Sequence, residues 1–249
     1  MAFKVVIPAR YASARLPGKP LLEIAGKPMV IRVAEQAHKS GAESVVIATD
    51  FDKIMQVAEA NNVEAVMTRV DHISGTDRIA EVAQKLNWND DDIVVNVQGD
   101  EPLIDPQLIQ EVALTLAHSR DAVMATACHA IYDEAAMLNP NVVKVVMDTE
   151  GNALYFSRSP IPYPRDGAHK QNIKAHRHIG IYAYHVGFLK QYAELSVTEL
   201  EQIESLEQLR VLHHGYKIAV TITDNAPATG VDTQEDLDYV RSVIASQAT

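Results

Sequence analysis

An α/β fold is predicted by three observations. Strand-length apolar runs alternate with helically spaced segments from Lys4 to the helix that begins at Asp105-Pro106. The runs are apolar at consecutive positions, the mark of strands covered on both faces. From about residue 130 further strand-like runs follow without full-length helices between them, and Pro160, Pro162 and Pro164 interrupt them. Together these imply a Rossmann-like, mostly parallel sheet with helices on both faces and a β-rich insertion. A single domain, residues 1–249, is expected, with its core at about 1–129 and 206–249 and the insertion at about 130–205.

Taken in order, Lys4 to Ile7 is an apolar run closed by Pro8, hence a buried strand entering a loop. Lys27 to Ser40 places Val30, Val33, Ala34 and Ala37 at helical spacing, with Gly41 as a stop. Ser44 to Thr49 is the second strand, and Asp50 or Asp52 would cap the helix that runs through Asn61. Glu64 to Thr68 is a short third strand, followed by a helix from Thr76 to Leu86 carrying Ile79, Val82, Ala83 and Leu86 on one face. Ile93 to Gln98 is a strand ending in Gly99-Asp100-Glu101-Pro102, and Asp105-Pro106 caps and opens the next helix. Val142 to Met147, Ala153 to Phe156 and Ile179 to Tyr184 are strands of the insertion. Ile203 to His214 forms a helix, Lys217 to Thr223 a strand, and Thr233 to Ala245 a last helix capped by Thr233 or Asp232.

The chain carries 22 Lys and Arg against 33 Asp and Glu, a formal charge of −11. A broad nucleic-acid surface needs a basic face, so that class is excluded. The total conceals two cationic islands, +5 over residues 1–32 and +4 over 158–178, in a remainder of −20. Such islands suit a small anionic ligand. The single cysteine, Cys128, lies in the apolar run from Val123 and is expected to be a buried strand thiol, which leaves neither a disulfide framework nor a multi-cysteine metal site. The first strand turns to Pro8 and Arg10 before a signal-length apolar region develops, and no apolar run approaches about 18 residues. A cytoplasmic protein without membrane insertion is expected.

Ligands of open parallel sheets bind beyond the carboxyl ends of the strands, which directs attention to the loops after Ile7, Thr68 and Gln98. The first, Pro8 to Leu21, holds Arg10, Arg15, Lys19 and Gly18. It is either a phosphate-wrapping loop or a solvated basic one, and it matches neither GxxxxGK[ST] nor GxGxxG. Asp100 follows a buried strand, where it could hold a cation beside a nucleotide or simply sit in a turn. Asp232 could join it or merely cap a helix, and the 132 residues between them leave the question open. Arg158 could clamp a carboxylate in bidentate fashion or lie on the surface. His176 and His178 form an H-x-H pair without a third ligand, so zinc is not expected.

Eight segments occur in one order: ARYASARLPGKPL from Ala9, SGTDR from Ser74, NVQGDEPLI from Asn96, NPNVVKVV from Asn139, ALYFSRSPIP from Ala153, RHIGIYAY from Arg177, LEQLR from Leu206 and GVDT from Gly230. On these the chain resembles the CMP-Kdo synthetases (3-deoxy-manno-octulosonate cytidylyltransferases), sugar nucleotidyltransferases, over essentially its whole length. The resemblance implies a Mg²⁺-dependent reaction of CTP with Kdo. The anomeric hydroxyl would attack the α-phosphorus in line, releasing pyrophosphate and forming CMP-Kdo for lipopolysaccharide synthesis. A cytidylyltransferase for another acidic sugar, 8-amino-Kdo or sialic acid, and a non-catalytic nucleotide-binding regulator remain alternatives.

By the same resemblance, Arg10, Arg15, Lys19 and Asp100 carry the chemistry. Ala9, Ser74, Gly75, Arg78 and Gln98 join Arg10, Arg15 and Lys19 around CTP. Gln98, Arg158, His178, Tyr182, Glu207 and Gln208 contact Kdo, and Asp100 with Asp232 binds magnesium. A homodimer is implied. The chain departs from the family in carrying His185 where arginine often follows the GIYxY segment, and its 165–175 stretch is short and expected to be a mobile or trimmed loop.

Overall fold

The computed structural model describes residues 2–12, 16–72, 74–165, 175–224, 228 and 230–247. Arg15 and most of the 165–175 stretch lie outside them. The strands are β1 (Lys4–Ala9), β2 (Glu23–Ile24), β3 (Lys27–Pro28), β4 (Ser44–Thr49), β5 (Glu64–Met67), β6 (Ile93–Asn96), β7 (Ala122–Ile131), β8 (Lys144–Met147), β9 (Ala153–Ser157), β10 (Ala175–His185) and β11 (Lys217–Ile222). The helices are α1 (Met29–Lys39), α2 (Asp52–Ala60), α3 (Gly75–Lys85), α4 (Pro106–His118), α5 (Glu134–Leu138), α6 (Val186–Tyr192), α7 (Glu199–Glu204), α8 (Gln208–His213) and α9 (Gln234–Gln247).

The main sheet runs β11-β7-β10-β6-β1-β4-β5, with β8 and β9 attached through β10. Of these seven strands only β10 runs against the others, pairing antiparallel with both β6 and β7. The mostly parallel sheet predicted from the buried apolar runs is therefore present. The segment expected to form the insertion contributes the β8–β9 hairpin, and also β10, whose Tyr182 to His185 stretch is paired with Asn96 to Ile93 inside the main sheet.

Strand alternation sorts the sheet's side chains into two cores. Val5, Ile7, Val45, Ile47 and Val95 meet α1 and α4 through Val30, Val33, Val112 and Leu116. Val6, Val46 and Val94 point the other way, against Ile79 and Val82 of α3 and Phe188 and Leu189 of α6. A one-residue slip of β1 would exchange the two sets, so its register is strongly specified. Cys128 is buried in β7, and burial pushes its thiol up to about 12, leaving it inert near neutral pH.

Two expectations are corrected. Neither Asp50 nor Asp52 caps α2: Phe51 occupies that position without a side-chain bond, and Asp50 is drawn instead to Arg78. The single helix expected from Ile203 to His214 is broken at Ser205, which adopts φ 52°, ψ 49°. Apolar periodicity continues across the break because the turn still delivers Leu206 and Leu209 to the same core. At the last helix, Thr233 is the cap: its hydroxyl accepts from Asp236 N–H and the Asp236 carboxylate accepts from Thr233 N–H.

Candidate active site

The ends of β1 and β6 and the start of α3 converge. A Cβ on Gly75 would lie 3.6 Å from Pro8 Cγ and 3.8 Å from Asn96 Nδ2. One on Gly99 would sit 2.8 Å from the Pro8 carbonyl oxygen, a backbone atom that cannot swing aside, so only glycine permits this approach. Ser74 caps α3 in a reciprocal box with Asp77, each accepting from the other's main-chain N–H at 3.1 Å. Ala9, at the end of β1, and the half-buried Arg10 and Gln98 lie at these strand ends.

Here the two distant carboxylates meet. Lys19 Nζ donates to Asp100 Oδ2 at 2.5 Å and to Asp232 Oδ1 at 3.0 Å. Three features bring Asp232 in. Val231 N–H donates to the Asp100 carbonyl at 2.8 Å, α9 docks Leu237 and Val240 with Val231 against Ile24 and Met29, and Thr233 takes over the capping that would otherwise occupy Asp232. Two carboxylates sharing one cation position form a donor set suited to a hard divalent ion, which typically takes one or two carboxylates and leaves the rest of its shell to water and phosphate. Beside them, burial and the neighbouring Asp100 charge push the Glu101 carboxyl up to about 8.

A cavity of about 320 Å³ opens between β10 and the α7–α8 turn, and His178, Tyr182, Glu207 and Gln208, four of the predicted sugar contacts, line it. The α7–α8 break is what brings Glu207 and Gln208 there. Gln208 is buried, and its Nε2 has no hydrogen-bond partner among the described residues, leaving a donor for a ligand. Thr126 Oγ1 lies 2.7 Å from the Ile181 carbonyl and 3.0 Å from His178 Nε2. The single hydroxyl proton goes to the carbonyl, so His178 Nε2–H donates and Nδ1 is left as an acceptor. Gly180 also lines the cavity, at the irregularity where the β7–β10 pairing shifts between Ile179 and Tyr182. Glycine within a strand pattern is the sequence signal for such a bulge.

Burial holds the His178 pKa down to about 3, so the imidazole is neutral when folded. Below its ordinary value of about 6.5 the unfolded state binds the extra proton, and stability should fall with pH between 6.5 and 3. The Tm advantage of wild type over His178→Gln is therefore expected to shrink across that window. A pH-independent difference in melting scans would refute this.

Two predicted contacts fall elsewhere. Arg78 is fully buried, its Nη2 bonded to Asp50 Oδ2 at 2.9 Å and its Nη1 to Thr68 Oγ1, so its guanidinium ties the ends of β4 and β5 together instead of facing a nucleotide. Arg158 is not among the residues that line the cavity, and its guanidinium donates to the carbonyls of Pro140, Glu204 and Ser205. Thr76, unassigned from sequence beyond its place in α3, links the two halves of the site: its Oγ1 is 3.4 Å from Tyr184 Oη and 3.5 Å from Glu207 Oε1.

An open α/β sheet gathering cations and carboxylates at its strand ends, beside a polar cavity, is the architecture of a nucleotide-using transferase. Residues 4–218 match the cytidylyltransferase family, and the chain belongs to it. Two relatives are each called 3-deoxy-manno-octulosonate cytidylyltransferase. That of Herminiimonas arsenicoxydans is 58% identical over 247 residues, covering 97% of this chain and 98% of its own. That of Neisseria gonorrhoeae (strain NCCP11945) is 59% identical over 247 residues, covering 97% of each. A solved structure of CMP:2-keto-3-deoxy-manno-octonic acid synthetase complexed with CTP superposes with a TM-score of 0.91 at 44% identity, covering 99% of both chains. A cytidylyltransferase from Leptospira borgpetersenii serovar Hardjo-bovis (strain JB197) shares the fold at 16% identity, with a TM-score of 0.63 over 98% of this chain and 87% of that one. No helix among the described residues is long and apolar enough to cross a membrane.

Proposed function

We propose that this protein transfers CMP from CTP to Kdo, giving CMP-Kdo and pyrophosphate for lipopolysaccharide synthesis. The observation that carries this reading is the cavity holding His178, Tyr182, Glu207 and Gln208 together, a mixture of donors and acceptors suited to a polyhydroxylated sugar. It joins the nucleotide side of the site through Thr76. The anomeric hydroxyl attacks the α-phosphorus in line with the departing pyrophosphate, a step governed by positioning and charge stabilisation.

In this reading Arg10, Arg15 and Lys19 neutralise the triphosphate, Ala9, Ser74, Gly75 and Gln98 shape the nucleotide pocket, and Asp100 with Asp232 would hold Mg²⁺. When bound, the metal would polarise the α-phosphate and offset its charge. Lys19 then serves twice, balancing the carboxylates before the metal nucleotide arrives and turning to phosphate afterwards. A cytoplasmic homodimer completes the proposal, and Tyr132, Leu138, Leu154 and Tyr163 of the 130–205 segment are exposed apolar side chains that such an interface could cover. Sedimentation at the mass of one chain would remove the dimer.

The deciding assay is pyrophosphate release from CTP and Mg²⁺ with Kdo, 8-amino-Kdo or sialic acid. Turnover with Kdo is expected to exceed the others, and none with Kdo at saturation would overturn the reading.

A further inference from the structure

We propose that Lys144 is a positioning residue for the sugar, its ammonium acting with the Arg158 guanidinium to fix the turn before β8 and the α7–α8 turn, which together form one wall of the 320 Å³ cavity, against the end of β9. The inference rests on assigning that cavity to Kdo. Lys144 belongs to the Asn139 to Val146 segment, to which the function above gives no role.

Lys144 is fully buried on β8. Its Nζ donates to the carbonyls of Asn139 at 3.1 Å, Val142 at 2.6 Å and Arg158 at 2.6 Å. The Arg158 guanidinium adds bonds to the carbonyls of Pro140 at 3.0 Å, Glu204 at 2.6 Å and Ser205 at 3.4 Å. Two cations thus gather carbonyls from the turn before β8, the end of β9 and the α7–α8 turn. The first and the last of these line the cavity, through Asn141 and Val143 and through Ser205, and the end of β9 ties them together from outside it.

Three carbonyls converge on one point, that of Val142 buried and those of Asn139 and Arg158 partly so, and an ammonium has three donors to meet them. The Asn139 carbonyl also accepts from Val142 N–H at 3.1 Å, which closes the turn on which the ammonium sits. The positive charge has a nearby complement in Glu204, whose carboxylate accepts from Ser157 Oγ at 2.6 Å and Arg158 N–H at 2.9 Å. With all three N–H groups committed, Lys144 has none left for a ligand. It reaches the sugar only through the wall it holds, so its loss should alter sugar affinity and leave the nucleotide pocket intact.

The test compares wild type with Lys144→Met, which keeps the length without donors, and Lys144→Gln, which keeps two donors. KM for Kdo and for CTP would be measured by pyrophosphate release, and amide hydrogen exchange over residues 139–143 by mass spectrometry. Lys144→Met should raise KM for Kdo about tenfold or more while KM for CTP stays within about twofold, since a displaced wall misplaces only the sugar. Lys144→Gln should fall between, and exchange over 139–143 should accelerate in both. An unchanged KM for Kdo, or both KM values rising together, overturns the inference, as does failure of both variants to fold. If wild type itself does not use Kdo, the functional reading fails instead, and unaltered exchange over 139–143 would then reject the clamp separately.

Discussion

Asp100→Asn is expected to lower kcat by about a thousandfold while weakening CTP binding by less than about tenfold. Asparagine keeps the shape of the side chain and removes the charge that, with Asp232, Lys19 now balances. Charge stabilisation by a bound divalent cation is worth several kcal/mol, and about 4 kcal/mol corresponds to three decades of rate. Asp232→Asn should act in the same direction. Single-turnover measurements with calorimetric titration of CTP would separate chemistry from binding, and near wild-type turnover in Asp100→Asn would remove this carboxylate from the catalytic apparatus.

Arg78→Met is expected to be the most destabilising of the substitutions considered, by about 3 to 5 kcal/mol, because it strands Asp50 at a poorly solvated position. At this chain length that corresponds to a fall in Tm of roughly 6 to 20 °C. The side chains of Arg78 and Asp50 are 0% and 15% exposed, so solvent screens the pair little. Replacing both together, Arg78→Met with Asp50→Leu, should recover part of the loss, since the buried charge is then gone from both sides. A Tm within a degree or two of wild type for Arg78→Met alone, accompanied by weakened CTP binding, would return Arg78 to the nucleotide pocket.

What can be read from the chain depends on how local its cause is. The strands β1, β4 and β6 announce themselves because consecutive buried positions leave apolar runs, and α4 because Asp105 and Pro106 mark its start. The place of β10 between β6 and β7 is a pairing between residues about ninety and fifty apart, and no local pattern encodes it. The turn at Ser205 is hidden because Leu206 and Leu209 preserve an apolar rhythm across it.

The site divides along the same line. His178, Tyr182, Glu207 and Gln208 are recognisable as a group by family resemblance, and the fold collects them. Arg78 and Arg158 are cations in suggestive motifs whose guanidinium groups donate to protein acceptors, Arg78 through Nη1 and Nη2 with its buried Nε unpaired among the described residues. A linear sequence offers no sign of that, since the acceptors, Asp50 and the carbonyls of Glu204 and Pro140, arrive only through folding.

The main-chain bond from Val231 to Asp100 also bears on how the protein is made. During synthesis Asp100 emerges long before Asp232, and α9, which sets the second carboxylate in place, leaves the ribosome after every strand of the sheet. A nascent chain halted between β11 and Asp232 would have the sheet strands and cavity residues but one carboxylate for Lys19. Translation of the sheet and acquisition of the paired carboxylates are thus separate events in the life of the chain.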